Sequence, residues 1–155
     1  MSPRAACRLE TLGYTEVYDF RTGIQDWMGA GLPTAGTNAE RPRLIDVVRR
    51  NVPTCGLGER LGDVRDRVLA EGWEACVVVG DARVVLGLLR AKELQGDPSL
   101  AVERVMRPGP STFRPFVTVE EMRRTMTDRN LPSSPVTTAD GRLVGVVLRA
   151  DVGAG

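Results

Sequence analysis

Twice along this chain, apolar residues at helical spacing precede two short apolar runs. Leu61, Val64 and Val68 give residues 60–71 one apolar face, and Val119, Met122 and Met126 do the same for residues 119–129. The runs 75–79 and 84–89 follow the first face, and 134–137 and 143–148 follow the second. Gly80-Asp81 and Asp140-Gly141 separate the runs as turn dipeptides, the latter a strong hairpin signal. Each block opens with a short amphipathic turn, 44–49 or 102–107, and an extended stretch, 52–55 or 110–113. Each closes with a helical piece beginning at Ala91 or Ala150, and the second closing helix is expected to be nearly missing because the chain stops at Gly155.

A shift of 58 residues lays 44–94 on 102–152 without a gap. Six pairs in fifty-one are identical: Val47/Val105, Arg49/Arg107, Thr54/Thr112, Arg65/Arg123, Val78/Val136 and Gly87/Gly145. The apolar order agrees more broadly, from Leu61/Val119 through Leu89/Val147, and Glu93 falls on Asp151. Two copies of one unit imply two similar sub-folds packed about an approximate two-fold axis. Such a seam leaves a cleft, the usual place for a small ligand.

Residues 4–12 read as a helix with Ala5, Leu9 and Leu12 on one face, stopped by Gly13. Residues 16–20 read as a short strand and 23–30 as a second helix, closed by Gly31-Leu32-Pro33. Residues 34–43 are small and polar, with glycine and proline, and read as a linker.

Composition narrows the function classes. At 155 residues the chain suits one compact domain or a tight pair of half-domains. A net charge of +1 gives no global electrostatic case for nucleic acid or an anionic membrane. The longest apolar stretch, 84–89, is far short of the ~20 residues that span a bilayer, and no secretory signal pattern stands at the N-terminus. Cys7, Cys55 and Cys76 are widely spaced and there is no histidine, so no zinc ligand set is visible. Nor is there a cysteine–histidine pair or serine triad, so the expectation is a metal-free, cytoplasmic, non-enzymatic protein with reduced thiols. Cys76, within Cys76-Val77-Val78-Val79, reads as a buried small hydrophobe. Trp27 and Trp73 read as packing residues, and Asp63, Asp66, Glu120 and Glu121 as charges on helix faces.

The stretch VMRPGPSTFRPFVTVEEMRRTM followed by SSPVTTADGRLVGVVLRADV resembles a CBS motif, and VPTCGLGERLGDVRDRVLAEGWEACVVVGDARVVLGLLRAKEL resembles a more divergent one. The pair resembles a Bateman module, which implies an α/β (α+β) fold of two tandem β-α-β-β-α motifs, 44–98 and 99–155, related by a pseudo-two-fold axis. Leu12-Gly13-Tyr14, the strand at 17–20, Gly23, Trp27 and Gly31-Leu32-Pro33 resemble the C-terminal end of a rhodanese-like sulfurtransferase. That implies a partial helix-strand-helix segment over 1–37 and a linker at 38–43, without the family's nucleophile, since Cys7 falls within the helix.

The CBS resemblance implies adenosine-containing ligands (AMP, ADP, ATP or S-adenosylmethionine) in the cleft between copies. The family pattern of glycine, two apolar residues, serine or threonine, two variable positions and aspartate maps onto Gly145 to Asp151, with Leu148 in the hydroxyl position. In the first copy it maps onto Gly87 to Glu93, with Arg90 in that position and Glu93 for the aspartate. The resemblance gives Asp151 and Glu93 the ribose hydroxyls, and Arg90 could hold a phosphate by a charge-assisted fork. It also points to Thr54, Cys55, Thr112 and Phe113 at the adenine, with Pro132 and Ser133 flanking the base. A regulatory nucleotide sensor, assembling as a homodimer, is the leading expectation. The alternatives are a degenerate pair serving only as a dimerisation or interaction module, and a truncated sulfurtransferase whose catalytic half is missing.

Overall fold

A computed structural model describes residues 3–18, 23–36 and 39–153. The elements follow the two-block pattern. Short helix α3 (Leu44–Val47) and strand β1 (Thr54–Cys55) lead to helix α4 (Leu61–Ala70), strands β2 (Cys76–Val79) and β3 (Val85–Leu89), and helix α5 (Ala91–Leu94). The second block gives α6 (Val102–Val105), β4 (Arg107–Pro108), α7 (Val119–Asp128), β5 (Ser133–Thr137), β6 (Leu143–Leu148) and α8 (Arg149–Gly153). The closing helix α8 is thus formed, and its five residues exceed the four of α5.

The sheets reveal how the blocks combine. One has the order β1-β2-β3-β4, with β1 parallel to β2 and the other pairs antiparallel. The other pairs β5 with β6, flanked by a parallel bridge from Phe113 to Val136 and an antiparallel bridge from Arg49 to Val146. Both sheets therefore show one plan, and in both the last position is filled from the opposite block: β4 joins the first sheet and Arg49 the second.

The leading helices cross over with those strands. Val102 of α6 is fully buried with Leu61, Val64, Val68, Cys76, Val78 and Leu89, whereas Leu44 of α3 is fully buried with Met122, Met126, Val136 and Val147. Backbone bonds repeat the exchange: Leu44 N–H donates to Val117 O and Val102 N–H to Glu59 O, each at 2.9 Å. Val119 N–H donates to Pro42 O as Leu61 N–H does to Leu100 O. Pro42, read in the sequence as linker, is thereby docked on the second half.

Gly87 and Gly145 are the places where the crossing segments pass. A Cβ on Gly145 would run into the carbonyl of Arg49, and one on Gly87 into the Met106 side chain. A third apolar cluster, Val52, Val77, Leu88, Leu143 and Val146, joins the two sheets at the seam, with Leu88 and Val146 as equivalent residues.

The N-terminal segment forms α1 (Pro3–Thr11) and α2 (Gly23–Gly29), matching the two expected helices. Gly13 ends the first in the left-handed region (φ 94°), and Tyr14 N–H returns to Leu9 O. The strand expected at 16–20 is absent over 16–18, where no backbone among the described residues pairs with the chain, and residues 19 and 20 lie outside the described residues. The rhodanese-like character expected of this segment rests on sequence alone. Gly29 faces Pro115, so α2 lies against the second half.

Candidate functional site

The exchange places one arginine of each block beside the closing helix of the other. Arg49 donates from Nε and Nη2 to the Asp151 carboxylate, the shortest contact being 2.6 Å. Arg107 donates from Nε to Glu93 Oε1 at 2.7 Å. Each acid also caps its own helix: Asp151 accepts Leu148 N–H at 3.1 Å, and Glu93 accepts Arg90 N–H at 3.1 Å. The carboxylates are sheltered, at 14 % exposure for Asp151 and 10 % for Glu93, while the arginines stay about half exposed. Burial alone pushes the Glu93 carboxyl upward, but the Arg107 hydrogen bond and the Arg90 N–H outweigh it and hold the group below its ordinary value.

Between the two ion pairs lies a cleft of about 950 Å³. Its walls come from equivalent stretches of both blocks: Arg49 and Arg107, residues 72–75 and Asn130 with Pro132 and Ser133, and the strand-to-helix junctions at 90–92 and 148–150. The cleft thus straddles the pseudo-two-fold axis. Hydrogen bonds and packing divide the lining into two sides. On one, Arg90 reaches Ser133 O at 3.5 Å and neighbours Arg107 through Glu93. On the other, Leu148 stands in the equivalent place, and it packs in the seam cluster with half-buried Trp73.

Positive charge dominates the lining, with Arg49, Arg90, Lys92, Arg107 and Arg149 against Glu71 and Glu74. Arg149 is spent on structure, donating to Met126 O, Leu131 O and Asn130 Oδ1 at the end of α7. Arg90 differs. Its Nε is buried and has no partner among the described residues. Burial, and then the charge of Arg107, press its pKa below the usual guanidinium value, with Glu93 opposing. An arginine with an unmet donor, beside a second arginine, is a chemical arrangement for receiving an anion.

Of the residues the sequence singled out, Arg90, Pro132 and Ser133 line the cleft. Glu93 and Asp151 stand behind it and hold two of its arginines. Thr54, Cys55, Thr112 and Phe113 are not in the lining. Parallel pairing of Cys55 with Val78 and of Phe113 with Val136 puts these residues on the outer strand of each sheet, where Cys55 joins the first core and Phe113 packs on the second. The Thr54 carbonyl is taken by Arg67 Nη2 at 3.1 Å. Sequence reasoning missed Arg49, Arg107 and Lys92, and Trp73, read as a packing residue, packs on two core clusters and also lines the cleft. The identity of Arg49 with Arg107 at the repeat spacing was the available signal. Cys76 is buried as expected, and a hydrogen bond with Cys55 and its burial both push its thiol pKa up.

Among the described residues no group of three or more His, Cys, Asp or Glu is placed to hold a metal ion, and no helix is long and apolar enough to cross a membrane. Comparison with known proteins places the architecture. Residues 102–152 match the family model described as CBS domain. No curated protein matches the chain. Among solved structures it is similar to CBSX2, a CBS-pair protein from Arabidopsis thaliana, in complex with AMP: 19 % identity, TM-score 0.66, 72 % of this chain and 93 % of that one. It is also similar to the CBS domain pair of protein MJ0100 in complex with 5′-methylthioadenosine and S-adenosyl-L-methionine, at 14 % identity and TM-score 0.65, covering 73 % of this chain and 94 % of that one. The cytosolic domain of the Mg2+ channel MgtE, in complex with ATP, matches at 23 % identity and TM-score 0.62, over 70 % of this chain and 50 % of that one. These are likenesses of fold. The family model covers 102–152, and the fold of the whole repeat region is that of CBS pairs.

Proposed function

We propose that this chain is a regulatory module that binds an adenosine-containing ligand in the cleft between its two repeats. The observation that carries the reading is the cleft itself, built from equivalent stretches of both blocks and lined by an excess of cations. The ligands named for the similar structures, AMP, ATP, 5′-methylthioadenosine and S-adenosyl-L-methionine, support it by analogy of fold. A ligand there touches the starts of α5 and α8 together, so binding would fix the two halves relative to each other. That is the means by which occupancy would be read by a partner.

A thermal-shift panel of AMP, ADP, ATP and S-adenosylmethionine tests the reading. A ligand at a hundredfold its Kd stabilises by about 2.7 kcal/mol; no shift with any member overturns it. A second reading, an interaction module with no ligand, is favoured by the engagement of both Glu93 and Asp151 by arginine. It expects the same sedimentation behaviour with and without nucleotide.

A further inference from the structure

The two carboxylates that a nucleotide's sugar would seek are already engaged by arginine and by backbone N–H groups. Asp151 accepts from Arg49 Nε, Arg49 Nη2 and Leu148 N–H, and Glu93 from Arg107 Nε and Arg90 N–H. A diol reaching Asp151 would have to displace a charge-assisted bond and offer a neutral one in return, and one reaching Glu93 would have to share its carboxylate with Arg107. On the phosphate side the balance is reversed. No carboxylate lies within ion-pair distance of Arg90 or Lys92 among the described residues, and Arg90 Nε has no partner. Phosphate oxygens against the Arg90 guanidinium would relieve the repulsion between Arg90 and Arg107.

The two-fold axis is broken at one position that decides polarity. Where the first block has Arg90, the second has Leu148, packed in the same cluster as Trp73. Glu71 and Glu74 lie on the turn that carries Trp73 and disfavour a phosphate there. One side of the cleft therefore offers Arg90 beside Arg107, and the other an indole and a leucine beside acids, with Arg49 held there by Asp151. This matches a ligand with a polyanionic end and a flat apolar end.

Resting on the adenosine reading above, we propose that the cleft selects its ligand by the phosphate end and not by the ribose. Arg90, Arg107 and Lys92 form a clamp for a nucleoside di- or triphosphate whose base lies toward Trp73 and Leu148. Glu93 and Asp151 serve the site by holding arginines, and make no bond to the sugar.

Isothermal titration calorimetry on the full chain, in EDTA at fixed ionic strength, tests this. The probes are ATP, ADP, AMP, adenosine, S-adenosylmethionine, 2′,3′-dideoxy-ATP and sodium tripolyphosphate. The expected order is ATP, ADP, AMP and then adenosine, with dideoxy-ATP within about threefold of ATP and tripolyphosphate binding measurably. Arg90→Gln should weaken ATP by roughly tenfold or more, as loss of a charge-assisted bond does, and leave adenosine unchanged. Arg90 makes a single long side-chain contact, and an unaltered circular dichroism spectrum would confirm that the variant folds. Arg107→Gln, which should weaken ATP likewise, gives a second reading of the clamp. Adenosine or S-adenosylmethionine binding as tightly as ATP would overturn the phosphate clamp while upholding the adenosine reading. So would a tenfold loss with dideoxy-ATP. Tripolyphosphate binding as tightly as ATP would uphold the clamp and overturn the adenosine reading, and no binding by any probe would overturn both.

Discussion

Gly145 and Gly87 occupy equivalent positions in the two blocks, but their surroundings are not equally forgiving. The nearest atom to a Cβ on Gly145 is the backbone carbonyl of Arg49, followed by the Val48 side chain. Arg49 and Val146 also exchange two backbone hydrogen bonds at 2.9 Å, so that carbonyl has no room to retreat. At Gly87 the nearest atom is Met106 Sδ, the far end of a flexible side chain. Gly145→Ala should therefore cost about 3 kcal/mol, the upper part of the range for overpacking, and Gly87→Ala about 1 kcal/mol. Urea denaturation of both variants measures the difference, and equal losses would contradict the backbone argument. These glycines were legible in the sequence as an identical pair, though their reason was not: the clash is with a segment from the other block. The turn between β2 and β3 shows a similar shift of detail. Gly80-Asp81 opens it as expected, Arg83 N–H donating to Gly80 O, but the left-handed residues are Ala82 and Arg83, at φ 53° and 61°. Short polar residues that tolerate such angles are recognisable in advance, whereas alanine and arginine are not.

At the scale of elements, helices α4 and α7 and the four longer strands were legible because each has an unambiguous period and a turn signal beside it. The exchange of α3 and α6 was not legible, for a physical reason. Overlaying the copies compares each segment with its counterpart, and the match is the same whether a helix packs on its own block or on the other. Only the packed cores distinguish the two. Since Leu44 lies in the cluster of Met122, Met126, Val136 and Val147, Leu44→Ala should remove about 3 kcal/mol from the fold. Its local effect should appear far along the chain. Hydrogen exchange is expected to quicken first in α7, β5 and β6, and Val102→Ala should quicken it first in α4, β2 and β3. Early quickening in β1 and α4 for Leu44→Ala would mean that α3 packs on its own block. The same exchange explains why the site was only partly foreseen. Asp151 and Glu93 stand out in sequence by their place after each last strand, but their arginine partners lie in another block, 102 and 14 residues away.

For the whole molecule, the crossing Glu93–Arg107 pair and two pairs within the blocks tie stability to pH. In the fold, Glu93 sits below its ordinary value of 4.5: burial opposes this, and the bonds from Arg107 and Arg90 more than compensate. Glu59 is likewise held below 4.5, by Gly56 N–H and Arg67 against the same opposing burial, and Glu120 is held at about 2 by Arg123 and Arg124. A carboxyl with a lower pKa in the folded than in the unfolded chain binds fewer protons when folded, so folding gains from it at high pH. That gain is complete above the unfolded value, near 4.5, and is lost as pH falls from there through each folded value. The melting temperature should therefore lose these contributions progressively as pH drops from about 4.5 toward 2. Glu120 is exposed, and added salt should erase its share. Glu93 is 10 % exposed, so its share should persist in salt. Measured by calorimetry at high ionic strength, Glu93→Gln should melt lower than the parent at pH 7 and approach it as pH falls below 4.5. Parallel curves for the two proteins would show that the Glu93–Arg107 pair does not couple the halves to pH.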